Sequence, residues 1–245
     1  MFGPIFSRRL GTSLGINLLP ENGKICNFDC IYCECGWNKD GHADTQLPTA
    51  EKVRSLLKEK LENLNTSGIK VDSITFSGDG EPTLNPEFAT VIDDTVHLRD
   101  IYAPTAKVSV LSNATRVHIP NVFEALCKVD NPIMKIDAPT NELIAKINNP
   151  APGYDVTRVI EALHRFNGNF VLQWCMLRSA DFDSTSSEVV DGMIEIIREL
   201  RPREVMVYTI DRPTPAAGLD KIDADTMHSC VKPLIDDGFE VQIKG

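Results

Sequence analysis

The sequence predicts an α/β fold, a partial (β/α)6 TIM-type barrel built on a mainly parallel sheet. Three observations lead there. Strand-like and helix-like stretches alternate from residue 13 onward, the signature of βαβ units. Right-handed crossovers curl about six such units into an open barrel. The polar loops all follow the C-terminal ends of strands, the face on which parallel α/β folds place their sites.

Each element follows from local pattern. SLGINLL (13–19) reads as the first strand and leads into a cysteine-rich loop. Thr49 is placed to cap a helix over AEKVRSLLKEKLENL, where Val53, Leu56, Leu57 and Leu61 recur at helical spacing. VDSITF (71–76) is the next strand and runs into SGDGEPTLNP; a helix opened by Pro86 fills 86–97. KVSVLS (107–112) is a strand, VFEALCKV (122–129) a short helix and PIMKID (132–137) a strand. Helical pattern covers 155–166, and FVLQWCML (170–177) reads as a buried strand. SSEVVDGMIEIIREL (186–200) is a helix, EVMVYTI (204–210) a strand and DRPTPAAGL a rigid Pro-rich loop. A last helix covers 223–237, and FEVQIK (239–244) is an edge strand. No repeat, low-complexity tract or long linker divides the sequence, so residues 1–245 read as one domain, with a candidate cluster loop at 24–37.

Composition narrows the function classes. A chain of 245 residues, 42% hydrophobic and 24% charged, has the balance of a soluble globular protein with a sizeable core. No apolar run approaches the roughly 20 residues needed to cross a bilayer. The stretch MFGPIFSRRLG lacks the order of a secretory signal, so a cytoplasmic location is expected. The formal charge of −10 opposes a phosphate-rich partner. A small-molecule substrate is expected rather than nucleic acid.

The seven cysteines divide into a crowd and a scatter. Cys127, Cys175 and Cys230 lie in apolar helix or strand patterns and read as buried free thiols. Cys26, Cys30, Cys33 and Cys35 fall within ten residues, a density that reads as metal-binding or catalytic. In CNFDCIYC, three thiolates are spaced so that they can wrap one corner of a [4Fe–4S] cube and leave the fourth iron without a protein ligand. An open coordination position is what a metal needs to bind a substrate or cofactor. The spacing also admits a zinc site with Cys35 as the fourth ligand, or a plain electron-transfer cluster. A zinc staple makes Cys35 as necessary as Cys30; an open cluster does not.

The C-x3-C-x2-C spacing, with Tyr32 just before the last cysteine, resembles the radical SAM superfamily signature. SGDGEPT, with Gly78, Gly80 and Glu81 after a strand, resembles that family's Gly-Gly-Glu stretch, and Asp79 between the glycines departs from it. LSNAT, with Ser112 and Asn113, resembles its later SAM-binding segment. GPIFSRRLGTSLGINLLP, CNFDCIYCE, FSGDGEPTLNPEF, MKIDAPT and VYTIDRPTPAAGL together resemble the radical SAM group related to tRNA wyosine synthases.

The resemblance implies a [4Fe–4S] cluster on Cys26, Cys30 and Cys33. It implies S-adenosylmethionine (SAM) positioned by Tyr32, Gly78, Gly80, Glu81, Ser112, Asn113 and Asp137; Lys135 reads equally as a structural salt-bridge partner or as a SAM or substrate contact. It also implies an external electron donor, a flavodoxin or ferredoxin. Wyosine synthases carry a second cysteine set ahead of the motif, whereas residues 1–25 here hold no cysteine. The chain is also acidic and compact. A small purine-like or 7-deazapurine base, as in queuine lyase or carboxy-deazaguanine synthase, is the expected substrate, ahead of tRNA or a glycyl-radical partner protein. Arg8, Arg9, Tyr208, Asp211 and Arg212 are the substrate-side candidates, with Gln173, Trp174 and Arg178 nearby; Trp174 reads as core.

Overall fold

The computed structural model describes residues 1–7, 10–41 and 44–245; the candidates Arg8 and Arg9 lie outside the described residues. The chain forms two compact units. The first holds Met1–Cys26, Asn38–Ser112 and Arg116–Pro132; the second holds Asn27–Trp37, Asn113–Thr115 and Ile133–Gly245.

The first unit orders its strands β1 (Phe2–Ser7), β2 (Gly11–Ile16), β3 (Ser73–Phe76) and β4 (Lys107–Ser112). Strands β2, β3 and β4 pair in parallel, whereas β1 pairs antiparallel with β2. The sequence reading began the sheet at residue 13 and missed β1. FGPIFS carries Gly3 and Pro4 inside a six-residue strand, and those residues mark turns and edges rather than strand interiors. Pro4 is tolerated because β1 is an edge strand whose register shifts between Phe2 and Ile5.

The helices of this unit are α1 (Ala50–Thr66), α2 (Phe88–Tyr102) and α3 (Pro120–Leu126). The Thr49 side chain caps α1 by accepting from Lys52 N, as expected from sequence. Val53, Leu57 and Leu61 form its buried stripe, while Leu56 is exposed.

The two sheet faces of this unit differ. Leu14, Ile16, Ile74, Phe76, Val108 and Val110 on one face are all at most 1% exposed. On the other, Ser13 Oγ lies 2.7 Å from Thr75 Oγ1, which lies 2.9 Å from Ser73 Oγ. Ser73 Oγ is in turn 3.1 Å from Ser109 Oγ, which accepts from Asn131 Nδ2 at 3.0 Å. Buried hydroxyls are inexpensive only when paired, and each of these is paired.

The second unit continues β5 (Asn131–Lys135), which starts in the first. Next come α4 (Asn141–Asn148), α5 (Val156–Leu163), β6 (Val171–Cys175), β7 (Leu177–Arg178) and α6 (Ser187–Leu200). The chain ends with β8 (Glu204–Tyr208), β9 (Asp220–Lys221), α7 (Ala224–Asp236) and β10 (Val241–Lys244). Strands β5, β6, β8 and β10 are neighbours in that order and all pair in parallel. Strands β7 and β9 form a small antiparallel ribbon. The fold class is therefore α/β with mainly parallel pairing, as the alternation of elements predicted.

Helix α4 was absent from the sequence reading. Only eight residues long, it is capped by Thr140 and ends at Asn149 in the left-handed region. The remaining predicted elements are present with ends shifted by a few residues. Trp174 is fully buried, as expected. Cys127 is a correction: it follows the last turn of α3 and is exposed rather than buried. Among the described residues, no helix is long and apolar enough to cross a membrane.

Asp130, in the turn before β5, ties the first unit together. Its carboxylate accepts from Val108 N at 2.9 Å, Arg99 Nη1 at 2.7 Å and Lys107 Nζ at 3.3 Å. Burial alone would raise this carboxyl, but the amide and the two cations outweigh it and hold it below its ordinary value. A depressed folded value means the stabilisation is complete above the unfolded carboxylate pKa and is lost as pH falls through the folded one. Asp130→Asn is expected to cost about 1.5–3 kcal/mol near neutral pH. Urea unfolding should show its gap from wild type closing in acid.

Candidate functional site

The cysteine loop is built from the backbone outward. In the first unit, Ile25 N–H donates to Asp79 O at 3.1 Å, and Glu81 N–H donates to Ile25 O at 3.0 Å. This bridge stitches the SGDGE loop to the residue just before Cys26. Gly80 has φ +133°, and a Cβ there would fall 1.9 Å from Ile25 O. Only glycine fits so close a backbone approach. Asp79, the departure from the family pattern, accepts from Asn17 Nδ2 at 2.9 Å.

Two predicted cofactor residues meet in that unit. Glu81 is 2% exposed. Its Oε1 accepts from Thr83 N at 3.1 Å, Thr83 Oγ1 at 2.6 Å and Ser112 Oγ at 2.9 Å. Glu81 and Ser112 thus form one buried polar group, fed by the ends of β3 and β4. Asn38 Nδ2 donates to Cys26 O at 3.0 Å and anchors the start of the loop.

In the second unit the loop docks beside the C-terminal end of α4. Asp29 N–H donates to Asn148 O at 2.9 Å and Ile31 N–H to Ile147 O at 3.0 Å. Cys33 N–H donates to Cys30 O, and Gly36 N–H to Cys33 O, winding the loop into consecutive turns. Asn27 and Asn113 close a small ring with Thr115. Asn113 Nδ2 donates to Asn27 Oδ1 at 2.7 Å, Asn27 Nδ2 to Thr115 Oγ1 at 2.5 Å, and Thr115 Oγ1 to Asn113 Oδ1 at 2.7 Å. Asn113 is therefore tied to the residue that follows Cys26.

The centre of this unit's site is Asp137, fully buried just beyond β5. Its Oδ2 accepts from Tyr32 Oη at 2.5 Å, Lys135 Nζ at 2.9 Å and Asn148 Nδ2 at 2.7 Å; Oδ1 accepts from Cys175 N at 3.0 Å. Three donors thus converge on Oδ2 and one on Oδ1, so both carboxylate oxygens are engaged by the protein. The sequence reading gave Asp137 and Tyr32 to SAM; here the two bond to each other and brace the cysteine loop. Burial, reinforced by Asp137, pushes the Tyr32 phenol well above its ordinary range and keeps it a donor.

Two of those donors also face sulfur. Lys135 Nζ lies 3.6 Å and Asn148 Nδ2 3.3 Å from Cys30 Sγ. Both partners of Asn148 Nδ2 are acceptors, which fixes the amide orientation. Lys135 Nζ also stands 4.6 Å over the Phe28 ring and 5.7 Å from the Tyr32 ring centre. Burial pushes the Cys30 thiol up and Asp137 adds to that, against the pull of Lys135 and Asn148.

Cys175 ends β6 fully buried, level with Tyr208 at the end of β8. Burial, then Asp137, pushes its thiol well above the ordinary range, against a hydrogen bond from Tyr208. Its surroundings are polar, a feature the apolar run VLQWCML concealed. Asn148 was likewise missed, because α4 was. Of the remaining candidates, Tyr208 is half-buried, whereas Asp211 pairs with Lys221 at 3.5 Å and Arg212 with Glu34 at 2.8 Å on the surface. Gln173 is buried beside Lys135 in register, and Arg178 pairs with Asp183.

The family model described as the Radical SAM superfamily matches residues 23–178, which include the cysteine loop and the elements from α1 to β7. The chain belongs to the radical SAM superfamily. A UPF0026 protein of Helicobacter pylori is 28% identical over 94% of this chain and 72% of its own length. A UPF0026 protein of Synechocystis sp. is 30% identical over 88% and 77%, a likeness that makes this chain a member of the same group.

Among solved structures, SuiB of Streptococcus suis bound to S-adenosylmethionine superposes with a TM-score of 0.69 at 15% identity, covering 95% of this chain. This chain spans about half of that one, 50%. TYW1 with a lysine–pyruvate adduct bound gives a TM-score of 0.65 at 13% identity over 94% of this chain and 75% of that one. These likenesses show the fold, the partial barrel with mainly parallel strands.

The cofactors are those of the superfamily, a [4Fe–4S] cluster and SAM. The residues present fit such a cluster. None of the four loop cysteines is in a disulfide, and Lys135 and Asn148 both direct donors at the Cys30 sulfur, an arrangement suited to a ligated, anionic sulfur. Gly80→Ala is expected to displace Ile25 and the loop after it, cutting iron retained after anaerobic reconstitution well below wild type. Asp137→Ala leaves Lys135 and Asn148 without their carboxylate and is expected to cost about 3–5 kcal/mol in denaturant unfolding.

Proposed function

We propose that this chain reductively cleaves SAM at a cluster held by Cys26, Cys30 and Cys33, and turns the resulting radical on a small-molecule substrate. The observation that carries this reading is the Cys30 sulfur, faced by Lys135 and Asn148 at 3.6 and 3.3 Å. Cys35, in the same loop, is exposed, which supports leaving the fourth iron open to SAM.

When bound, the cluster supplies the electron that splits the SAM sulfonium to a 5′-deoxyadenosyl radical. The chain's own residues bind, orient and exclude water. Glu81 with Ser112, and the Gly78–Gly80 backbone, are the groups proposed to receive the methionine and ribose ends of SAM, together with Asn113. Tyr32 and Asp137 act on SAM indirectly, by holding the cysteine loop. A flavodoxin- or ferredoxin-type donor returns the electron.

The substrate class we propose is a purine-like or 7-deazapurine base, with chemistry of the queuine-lyase type. Two observations support it: the chain is strongly acidic, which disfavours a polyanion, and the half-buried Tyr208 offers an aromatic surface beside Cys175. Asp211 and Arg212 sit in surface ion pairs, so Tyr208 is the stronger substrate-side candidate.

The test is anaerobic reconstitution with iron and sulfide, then dithionite and SAM, with chromatography for 5′-deoxyadenosine. Wild type and Cys35→Ser are expected to form it, and Cys30→Ser to fall to background. Stoichiometric zinc, or an assembled cluster that yields no deoxyadenosine, would sink the reading. A 7-deazapurine base is expected to accelerate deoxyadenosine formation; acceleration by tRNA alone would move the assignment to the wyosine-synthase type.

A further inference from the structure

The bonds around Cys30 carry a consequence beyond cluster binding. We infer that Lys135 and Asn148 set the reduction potential of the cluster through the Cys30 sulfur, with Asp137 as the positioning residue that aims both. The inference rests on the reading of Cys30 as an iron ligand.

Three observations point this way. Lys135 and Asn148 reach the sulfur from different elements, the end of β5 and the end of α4. Both are held on Asp137 Oδ2, at 2.9 and 2.7 Å, so their direction does not depend on the cluster being present. The Lys135 side chain is 14% exposed and Asp137 is 0%, so water screens little of this interaction.

The sign follows from charge. Reduction adds an electron to the cluster and increases negative charge on its thiolate ligands. A hydrogen bond or a cation at the sulfur stabilises the reduced form more than the oxidised form, and so raises the potential. Asp137 opposes this through its own charge, but Lys135 stands between it and Cys30 in the bonding sequence and contacts both. Removing the ammonium therefore removes the stabilising charge and leaves the carboxylate uncompensated. Both changes lower the potential.

The alternative use of Lys135 is to bind the SAM carboxylate, and the two uses separate experimentally. The potential is to be measured on reconstituted full-length protein without SAM, by mediated titration of the EPR signal of the reduced cluster. Iron and sulfide are counted for each variant, and SAM affinity is measured separately by equilibrium dialysis. Lys135→Met is expected to weaken the cluster's electron affinity at least tenfold, a shift of about −59 mV for one electron. Lys135→Arg is expected to stay close to wild type. Asn148→Leu is expected to shift in the same direction by a smaller factor, and it keeps the test open if Lys135→Met fails to load iron.

Fully loaded Lys135→Met and Asn148→Leu proteins at the wild-type potential would overturn the inference. Weakened SAM binding in Lys135→Met with no change in SAM-free potential would also overturn it, and would assign the ammonium to SAM. A wild-type protein that assembles no cluster refutes the proposed function instead, and is told apart by its iron count.

Discussion

A single buried carboxylate organises the chemistry of the second unit. Asp137 draws donors from four places: the cysteine loop through Tyr32, its own strand through Lys135, α4 through Asn148 and β6 through the Cys175 amide. An ionised carboxylate removed from water costs several kcal/mol unless its lone pairs are filled. The four segments must therefore come together for the fold to tolerate Asp137. The same requirement seats Tyr32 between Cys30 and Cys33 and turns Lys135 and Asn148 toward sulfur. The donors around the Cys30 sulfur are aimed there as a by-product of satisfying one carboxylate.

The first unit meets a different constraint. Its strands carry branched apolar residues on one face and Ser13, Gly15, Ser73, Thr75 and Ser109 on the other. Filled barrels use bulky branched residues inside; small hydroxyl residues occupy less volume, and they survive burial by bonding one another across the strands. Gly80 follows the same logic of space at the loop above. Its missing Cβ lets the chain ahead of Cys26 lie directly against the SGDGE backbone. Volume given up by side chains in this unit is taken up by backbone approach.

These two constraints explain how far the sequence could be read. Parallel alternation was legible because helices α1 and α6 carry long apolar stripes and β4 and β6 are short apolar runs bounded by polar loops. Strand β1 was hidden by Gly3 and Pro4, and α4 by its length. The cysteine loop, Glu81 with Ser112, and Asn113 stood out in the sequence as motifs at strand ends. Asn148 was not, since nothing about an asparagine in INNP marks it as a partner of Cys30, 118 positions away. Cys127 and Cys175 occupy similar apolar windows, yet one is exposed and the other buried against Asp137. Window composition reports the average environment and not the neighbour across the fold.

The role of a motif residue is decided by the partners its polar groups meet in the fold. Asp137 and Tyr32 sit in motif positions that resemblance assigns to the cofactor, yet their polar groups are engaged with the protein. Glu81 is also buried, and its Oε1 accepts from Thr83 and from Ser112 at a second strand end. Residues of the first kind fix geometry before any cofactor arrives; the entropy of ordering Lys135 and Asn148 is spent on folding rather than on binding. A cluster entering such a site meets donors already oriented toward its ligand. That is the condition under which a hydrogen bond tunes a metal centre instead of merely following it.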